Sequence, residues 1–124
     1  MSEIKSYKDL IIWQKGIDIA INLYELVEDF PKEELYALTS QVKRACISIS
    51  SNIAEGYGRS STQSYIHFVS ISRGSLFELE TQLIVAKRLK FIKNETLFSE
   101  LMNQITEESK MLNSFINKLE SSKQ

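Results

Sequence analysis

The sequence predicts an all-α protein, an antiparallel up-and-down four-helix bundle formed by residues 1–124 as a single domain. Four stretches repeat apolar residues at alternating spacings of three and four, which is the period of an amphipathic helix. The 124 residues include one proline and four glycines, and few segments alternate as strands do. Short connections join the four stretches, so neighbouring helices are expected to run antiparallel.

The first helix is expected at about residues 8–29. It has two adjacent apolar seams, one formed by Leu10, Trp13, Ile17, Ala20, Tyr24 and Val27, the other by Ile12, Gly16, Ile19, Leu23, Leu26 and Phe30. Together they span about 220° of the helix, whereas a surface helix needs little more than about 100°. Either this helix is central or one seam meets another subunit. Since no helix is central in a four-helix bundle, the sequence favours an oligomer.

The second helix is expected at about residues 33–56, because Phe30-Pro31 ends the first. A short turn followed by a fresh start near Thr39 is the alternative. The helix has an apolar stripe of Leu35, Leu38, Val42, Ala45, Ile49 and Ile53, and beside it a polar row of Gln41, Arg44, Ser48, Asn52 and Glu55. Half-buried polar groups need partners, from a neighbouring helix, another subunit or a ligand.

Two details of the second helix lead to further expectations. Arg44 and Glu55 are too far apart to pair with each other, so each is expected to find its partner on another helix or another chain. The Gly56-Tyr57-Gly58-Arg59 segment ends the helix, with glycine in a left-handed cap. A phosphate contact is the alternative use of these glycines, but they lack the spacing of a phosphate-binding loop.

The third helix is expected at about residues 61–91, starting after Ser60 or Ser61, where Ser60-Ser61-Thr62-Gln63 fits a capping box. Its main seam comprises Tyr65, Val69, Ser72, Leu76, Leu79, Leu83 and Ala86. A second apolar line of Ile66, Phe77, Ile84 and Phe91 lies beside that seam, so the helix again has more apolar surface than one neighbouring helix can cover. Gly74 in mid-helix indicates a close helix–helix crossing.

The fourth helix, about residues 95–120, follows the cap residue Asn94. Glu108 interrupts its apolar seam and is expected to pair with a basic residue of another helix.

Composition excludes several classes of protein. The chain is 43% hydrophobic and 25% charged, which is typical of a globular domain, and its longest apolar runs are far too short to cross a membrane. The first ten residues contain acids and no long apolar core, unlike a signal peptide. The single Cys46 cannot form an internal disulfide, which suits a reducing cytoplasm. We therefore expect a cytoplasmic protein with no membrane partner.

The residue types needed for catalysis do not come together in the sequence. His67 is the only histidine, so one chain offers no two-histidine metal site. Cys46 borders the apolar stripe of the second helix and is expected to be a buried hydrophobe. We therefore predict no enzymatic activity, no catalytic residues, no metal, no cofactor and no small-molecule substrate.

Charge is unevenly distributed along the chain. The net charge is −1, but residues 31–93 carry nine Lys and Arg against five Asp and Glu, while both ends are acidic. Charge complementarity within the bundle explains this, and so does a basic surface on the second and third helices that meets phosphate or an acidic protein. For the second explanation, the candidate residues for contact with nucleic acid are Lys43, Arg44, Arg59, Arg73, Lys87, Arg88 and Lys90.

Three segments carry a family resemblance: DLIIWQKGIDIAINLYELVEDFP, LYALTSQVKRACISISSNIAEGYGR and GSLFELETQL. Over about residues 7–92 the chain resembles the four-helix-bundle family encoded in intervening sequences of bacterial 23S ribosomal RNA genes. It is also similar to the accessory variability protein of diversity-generating retroelements. The family's motif falls here on Leu38, Thr39, Ser40, Gln41, Arg44, Ala45, Ser48, Ile49, Asn52, Ile53, Ala54, Glu55 and Gly56, and on Gly74, Ser75, Glu78, Leu79, Thr81 and Gln82. Lys90 departs from it, since the family has a glycine there.

The resemblance implies a homo-oligomer, a pentameric ring of bundles, with no assigned enzymatic activity. Two hypotheses follow. In the first, a non-enzymatic, self-assembling scaffold binds RNA or a ribonucleoprotein partner through the basic residues. In the second, the chain is a protein–protein interaction module with no nucleic-acid binding, and an interface motif locks subunits together. That motif comprises Gln41, Arg44, Ser48, Asn52, Glu55, Gly56, Gly74 and Glu78.

Overall fold

The computed structural model describes residues 3–122, and within this range the regular structure is entirely helical. Four α-helices account for most of it: α1 Ile11–Leu26, α2 Leu38–Tyr57, α3 Thr62–Arg88 and α4 Glu95–Ser122. Short 3-10 turns lie at Tyr7–Asp9, Val27–Asp29 and Lys32–Glu34. The all-α prediction is confirmed, and the four helices are consistent with the predicted bundle.

The helices pack around one shared core. α1 contacts α2 and α4, and α3 also contacts α2 and α4, with the α2–α3 contact the most extensive. Each helix contributes its apolar seam, so the centre consists of fully buried aliphatic side chains that include Ile19, Leu23, Ile49, Leu76, Leu79, Leu83, Leu101, Ile105 and Leu112. Removal of these side chains from water is the main stabilising contribution to the fold.

Only one of the two predicted seams of α1 lies fully in the core. Every residue of the seam from Ile12 to Phe30 is buried, whereas Tyr24 in the other seam is 42% exposed. Ile21, which belongs to neither seam, is 65% exposed. The surplus apolar surface of α1 therefore remains uncovered in the single chain.

The start of α2 differs from the predicted residue 33. Lys32–Glu34 form a 3-10 turn, and Ala37 has φ −120° and ψ −107°, outside the helical region, so the α-helix begins at Leu38. The structure therefore matches the alternative expectation, a short turn followed by a new helix that starts near Thr39. Leu35, assigned from the sequence to the buried stripe, is 50% exposed in the turn, and that assignment is wrong.

α3 ends at Arg88, three residues earlier than predicted, because the chain turns at Lys90. Lys90 has φ 66°, in the left-handed region that favours glycine. Its N–H donates to the Lys87 carbonyl, and the Phe91 N–H donates to the Ala86 carbonyl, both at 3.0 Å. These two bonds form a Schellman motif with lysine in the position where glycine is usual.

The glycines of α2 and α3 behave differently from the sequence expectations. Gly58 caps α2 with φ −80°, so the predicted left-handed cap does not form. Gly74 is exposed, and a Cβ added to it would meet nothing within 4 Å, so the predicted crossing at Gly74 does not occur within the subunit. The close crossing is instead at Gly16, where an added Cβ would collide with Ser50 Oγ of α2.

The start of α3 also differs in detail. Of the two expected start residues, Ser61 is the cap, and its hydroxyl accepts a hydrogen bond from the Ser64 backbone N–H at 3.1 Å. Gln63, the predicted third residue of the capping box, is exposed and makes no such contact.

Candidate interaction surfaces

A polar groove runs between α2 and α3 on the outside of the bundle. It has a volume of about 480 Å³ and is lined by Gln41, Arg44, Ala45, Ser48, Ser75, Glu78 and Gln82. Antiparallel packing brings the polar row of α2 opposite polar residues of α3, because helix residues spaced by three and four share one face. The groove therefore joins two sequence segments that are about thirty residues apart.

Hydrogen bonds fix one end of the groove. The Ser48 and Ser75 hydroxyls lie 2.8 Å apart and form a hydrogen bond between the helices. Asn52 Nδ2 donates to both the backbone carbonyl and the hydroxyl of Ser48, each at 2.8 Å. Of the predicted interface motif, Ser48 and Asn52 therefore join helices within one subunit.

The other end of the groove has polar atoms without partners in the described chain. Gln82 Oε1 is buried and accepts no hydrogen bond from these residues. Arg44 and Glu78 are exposed, and neither forms an ion pair within residues 3–122. An acceptor, a cation and an anion therefore line the same groove with unused bonding capacity.

The sequence expectation for Glu55 is wrong. Its carboxylate pairs with Arg59, four residues along the chain, at 2.8 Å. Continuation of α2 to Tyr57 brings the two residues within reach, since residues four apart on a helix are neighbours. Glu55 thus has a local partner and is not held by another helix.

Exposed apolar side chains form a face on α3. Ile71, Phe77, Ile84 and Val85 are each 38–43% exposed. Ile71 and Val85 lie on one side of the bare Gly74, and Phe77 and Ile84 on the other, as the helical period requires. We call these five residues the α3 face.

A second exposed apolar patch lies where α1 and α2 meet. Ile21 and Tyr24 of α1 and Ile47 of α2 are between 42% and 65% exposed. The Lys43 ammonium lies 4.8 Å from the centre of the Tyr24 ring, which places the two helices side by side at this point. We call Ile21, Tyr24 and Ile47 the α1–α2 patch.

The seven basic candidates for nucleic-acid contact do not form one surface. Three of them are engaged by acceptors of the same subunit: Arg59 by Glu55, Arg73 by Asn113 Oδ1 at 2.9 Å, and Lys87 by Glu95. Arg59 is at one end of the bundle, and Lys87, Arg88 and Lys90 are at the other, since α3 runs between them. Arg44, Arg88 and Lys90 are exposed and have no ion pair in the described chain.

Burial raises the pKa of three groups. Desolvation raises the pKa of the Cys46 thiol to about 11 and that of the Tyr65 hydroxyl to about 12. Cys46 is fully buried, as expected of a small hydrophobe, so its thiolate is not available as a nucleophile near neutral pH. Glu108 is fully buried in α4, and burial raises its pKa to about 8.

The expected partner of Glu108 is not found. Neither carboxyl oxygen of Glu108 has a hydrogen-bond partner among residues 3–122, and its basic neighbour Lys15 pairs with Glu107 instead, at 2.5 Å. The hydrogen bond and charge of Glu107 raise the pKa of Lys15. The prediction that Glu108 pairs with a basic residue is therefore wrong.

Within residues 3–122, no group of three or more His, Cys, Asp or Glu side chains could hold a metal ion. No described helix is both long and apolar enough to cross a membrane.

Comparison with known proteins assigns the family. The family described as 23S rRNA-intervening sequence protein matches residues 8–114, most of the chain. The chain belongs to this family. No curated protein matches it.

The fold of this 23S rRNA-intervening sequence protein is also found in a solved structure. That structure is of a protein of unknown function from the S23 ribosomal protein family of Bacteroides thetaiotaomicron. The two chains are 24% identical with a TM-score of 0.75, and the similarity covers 86% of this chain and 98% of the other. At this identity the similarity supports the fold alone.

Sequence reasoning did not identify part of the exposed apolar surface. Ile21, Ile71 and Val85 fall outside every seam read from the sequence, yet each is more than a third exposed. They could have been found from their positions, because large aliphatic residues there interrupt otherwise polar helix faces.

Proposed function

We propose that this member of the 23S rRNA-intervening sequence protein family is a non-enzymatic scaffold that assembles with copies of itself. The observation that carries the proposal is the α3 face, where four large apolar side chains are exposed and Gly74, between Ile71 and Phe77, packs against nothing in the subunit. Clustered apolar side chains on a surface are typical of protein–protein contacts. A pentameric ring, which the family resemblance implies, is the proposed assembly.

In this proposal, the polar groove makes the contact between subunits specific. Arg44, Glu78 and Gln82 have unused hydrogen-bonding capacity, and a neighbouring subunit offers both donors and acceptors. Charged groups at the edge of an interface fix its register more than its strength. Gln41, Arg44 and Glu78 therefore remain in the proposed interface motif.

Light scattering of the purified protein tests self-assembly. The wild-type chain of 14.3 kDa should give the mass of several subunits, five for the proposed ring. Phe77→Glu should lower that mass while circular dichroism stays helical, because Phe77 is 43% exposed and outside the core. Thr96→Glu, an exposed position on α4, is the matched control. A wild-type mass equal to one subunit would contradict the proposal.

Binding of RNA or a ribonucleoprotein is the second candidate function. What favours it is that Arg44, Arg88 and Lys90 are exposed and free of ion pairs in the described chain. Such residues would contact phosphates without reading bases. An assembly that leaves them uncovered repeats them in every subunit, which increases the positive charge presented to one RNA molecule.

An anisotropy titration with structured RNA at several salt concentrations tests this function. Affinity should fall steeply with salt, and Arg88→Ala should lower the slope of log K against log salt by about 0.7–0.9 for each phosphate that Arg88 neutralises. Arg73→Ala is the control, since Arg73 already donates to Asn113. Absence of salt-sensitive binding by the assembled protein would exclude this function and leave the interaction scaffold.

A further inference from the structure

We infer that the α3 face of one copy docks on the α1–α2 patch of the next copy, so that the contact joins two different surfaces. This inference rests on the proposed self-assembly and goes beyond it by naming both sides of the contact. A two-fold dimer would instead join a surface to its own copy.

The first support is the shape and chemistry of the two surfaces. On α3, the bare Gly74 leaves a depression between Ile71 and Phe77, one turn to either side, and the face continues along the helix to Ile84 and Val85. On α1, Ile21 is the most exposed residue of the α1–α2 patch at 65%. A protruding aliphatic side chain fits a depression made by glycine, which allows two helices to approach closely.

The second support is charge complementarity. Between Lys15 and Lys32, α1 and the turn after it carry four acids and no base: Asp18, Glu25, Glu28 and Asp29. Between Glu80 and Glu95, the end of α3 and its turn carry four bases and no acid: Lys87, Arg88, Lys90 and Lys93. All eight side chains are exposed, and of the eight only Lys87 forms an ion pair within residues 3–122. Opposite charges of this kind favour contact between α1 and α3 of different copies.

The third support is that the two surfaces lie at the same level of the bundle. Tyr24 of α1 contacts Lys43 of α2, and a Cβ at Gly16 would touch Ser50, so residues 16–24 lie beside residues 43–50. Ser48 in that stretch of α2 contacts Ser75 of α3. Ile21 is therefore level with Phe77, in the middle of the α3 face and about one helical turn from Gly74. Rotation about an axis parallel to the helices brings the two surfaces together without a shift along the bundle.

The charges also disfavour pairing of α3 with itself. A two-fold axis parallel to the helices would place the basic end of α3 beside its own copy, and like charges repel. A two-fold axis perpendicular to α3 would place that end against residues 62–77, which contain no acid. Neither arrangement gives Arg88 or Lys90 an acidic partner on α3, whereas α1 provides four.

Disulfide cross-linking between variants that each carry one added cysteine tests the inference. Ile21→Cys and Gly74→Cys chains, one of them lengthened by a tag, are mixed, oxidised and analysed on a non-reducing gel. We expect a cross-linked dimer containing one chain of each kind, and none from either variant alone. The wild-type chain controls for Cys46, which is fully buried. In a parallel reaction that controls for position, Asn103→Cys is used in place of Gly74→Cys, because Asn103 is exposed on α4.

The possible outcomes separate the docking inference from the proposed self-assembly. A dimer from Gly74→Cys alone would show that the α3 face meets its own copy, and would overturn the inference. An assembled protein, by light scattering, with no mixed dimer would overturn the inference and leave self-assembly standing. A protein with the mass of one subunit would overturn both. A mixed dimer that also forms with Asn103→Cys would show random collision and overturn the inference.

Discussion

At the scale of single residues, Glu108 is the clearest conflict between a side chain and its surroundings. Its carboxyl is fully buried between the core residues Ile105 and Leu112 and has no hydrogen-bond partner in the described part of the chain. An ionised carboxylate there would lose its hydration without compensation, so burial raises the pKa to about 8. Glu108 is therefore mostly protonated in the folded protein at neutral pH, and it acts as a polar but uncharged core residue.

Glu108 should make stability decrease with rising pH. The unfolded chain releases this proton near pH 4.5 and the folded chain near pH 8, so the folded state binds more protons between those values. The contribution of Glu108 to the free energy of unfolding is thus greatest below pH 4.5 and falls by about 1.4 kcal/mol per pH unit towards pH 8. Glu108→Gln should remove this slope and should stabilise the protein at pH 9 by on the order of 2–5 kcal/mol.

Urea unfolding followed by circular dichroism at pH 5, 7 and 9, at one protein concentration, measures how the free energy of unfolding of wild type and Glu108→Gln depends on pH. Glu107→Gln is the matched control because Glu107 is exposed and pairs with Lys15 on the surface. Surface ion pairs contribute about 0–1 kcal/mol, so this variant should keep most of the wild-type slope. Equal slopes in wild type and Glu108→Gln would show that Glu108 is already ionised at neutral pH.

At the scale of helices, the end of α3 contains an unfavourable residue in a favourable motif. The two backbone hydrogen bonds of the Schellman motif are formed, but Lys90 has φ 66°, a conformation disfavoured for residues with a Cβ. Phe91 follows and packs against Phe30, with the ring centres 5.9 Å apart. That packing holds the turn in place despite the cost at Lys90.

Lys90→Gly should raise the free energy of unfolding by about 1 kcal/mol, because glycine adopts this conformation without steric cost. Chemical denaturation of the two proteins under identical conditions measures the gain. Leu89→Gly is the matched control, since Leu89 has φ −80° and is 55% exposed. The control should not stabilise the protein. A Lys90→Gly variant no more stable than wild type would mean that the side chain makes compensating contacts.

The glycines of α1 and α3 give opposite predictions for the same substitution. Gly16→Ala should destabilise the subunit by roughly 1–3 kcal/mol, because the added methyl would collide with Ser50 Oγ. At dilutions where the subunits separate, Gly74→Ala should stabilise the helix by about 1 kcal/mol, since nothing within the subunit opposes it, whereas in the assembly the added methyl occupies the space proposed for Ile21 of the next copy. Thermal unfolding of both variants measures whether each substitution raises or lowers stability. A loss of stability in Gly74→Ala, greater at higher protein concentration, would locate a subunit contact at Gly74.

At the scale of the whole molecule, the groove between α2 and α3 separates the α1–α2 patch from the α3 face. It contains Arg44, an exposed cation with no ion pair in the described chain. If the apolar surfaces make the subunit contacts, Arg44 lies beside them and can reach a neighbouring chain. A lone charge at the edge of an interface stabilises it modestly.

Arg44→Ala should therefore shift the protein towards smaller species in light scattering across a dilution series. The expected weakening is about 0.5–2 kcal/mol per contact, seen as dissociation at a higher protein concentration than for wild type. Lys110→Ala on the exposed surface of α4 is the matched control for loss of one positive charge. If the Arg44→Ala oligomer dissociates at the same protein concentration as the wild-type oligomer, Arg44 is not part of the interface motif.

The fold class and most of the core follow from the order of the amino acids alone. The three-four spacing fixes which face of each helix is apolar, so the seam of α1 from Ile12 and the seam of α3 through Leu76, Leu79 and Leu83 are buried as predicted. Helix spacing is a local property, and a local pattern is sufficient to predict it. The family resemblance likewise depended on motif residues that lie close together in the sequence.

Packing of the helices against one another determines which polar residues meet and which apolar residues stay exposed. The alignment of α2 against α3 places Ser48 beside Ser75, and the same packing leaves Ile21 and the α3 face uncovered. It also gives Glu108 no partner among the described residues, because Lys15 pairs with Glu107. These outcomes depend on the relative positions of different helices along the bundle. Helical periodicity fixes the direction of a side chain on its own helix, but not the residue it faces on the next.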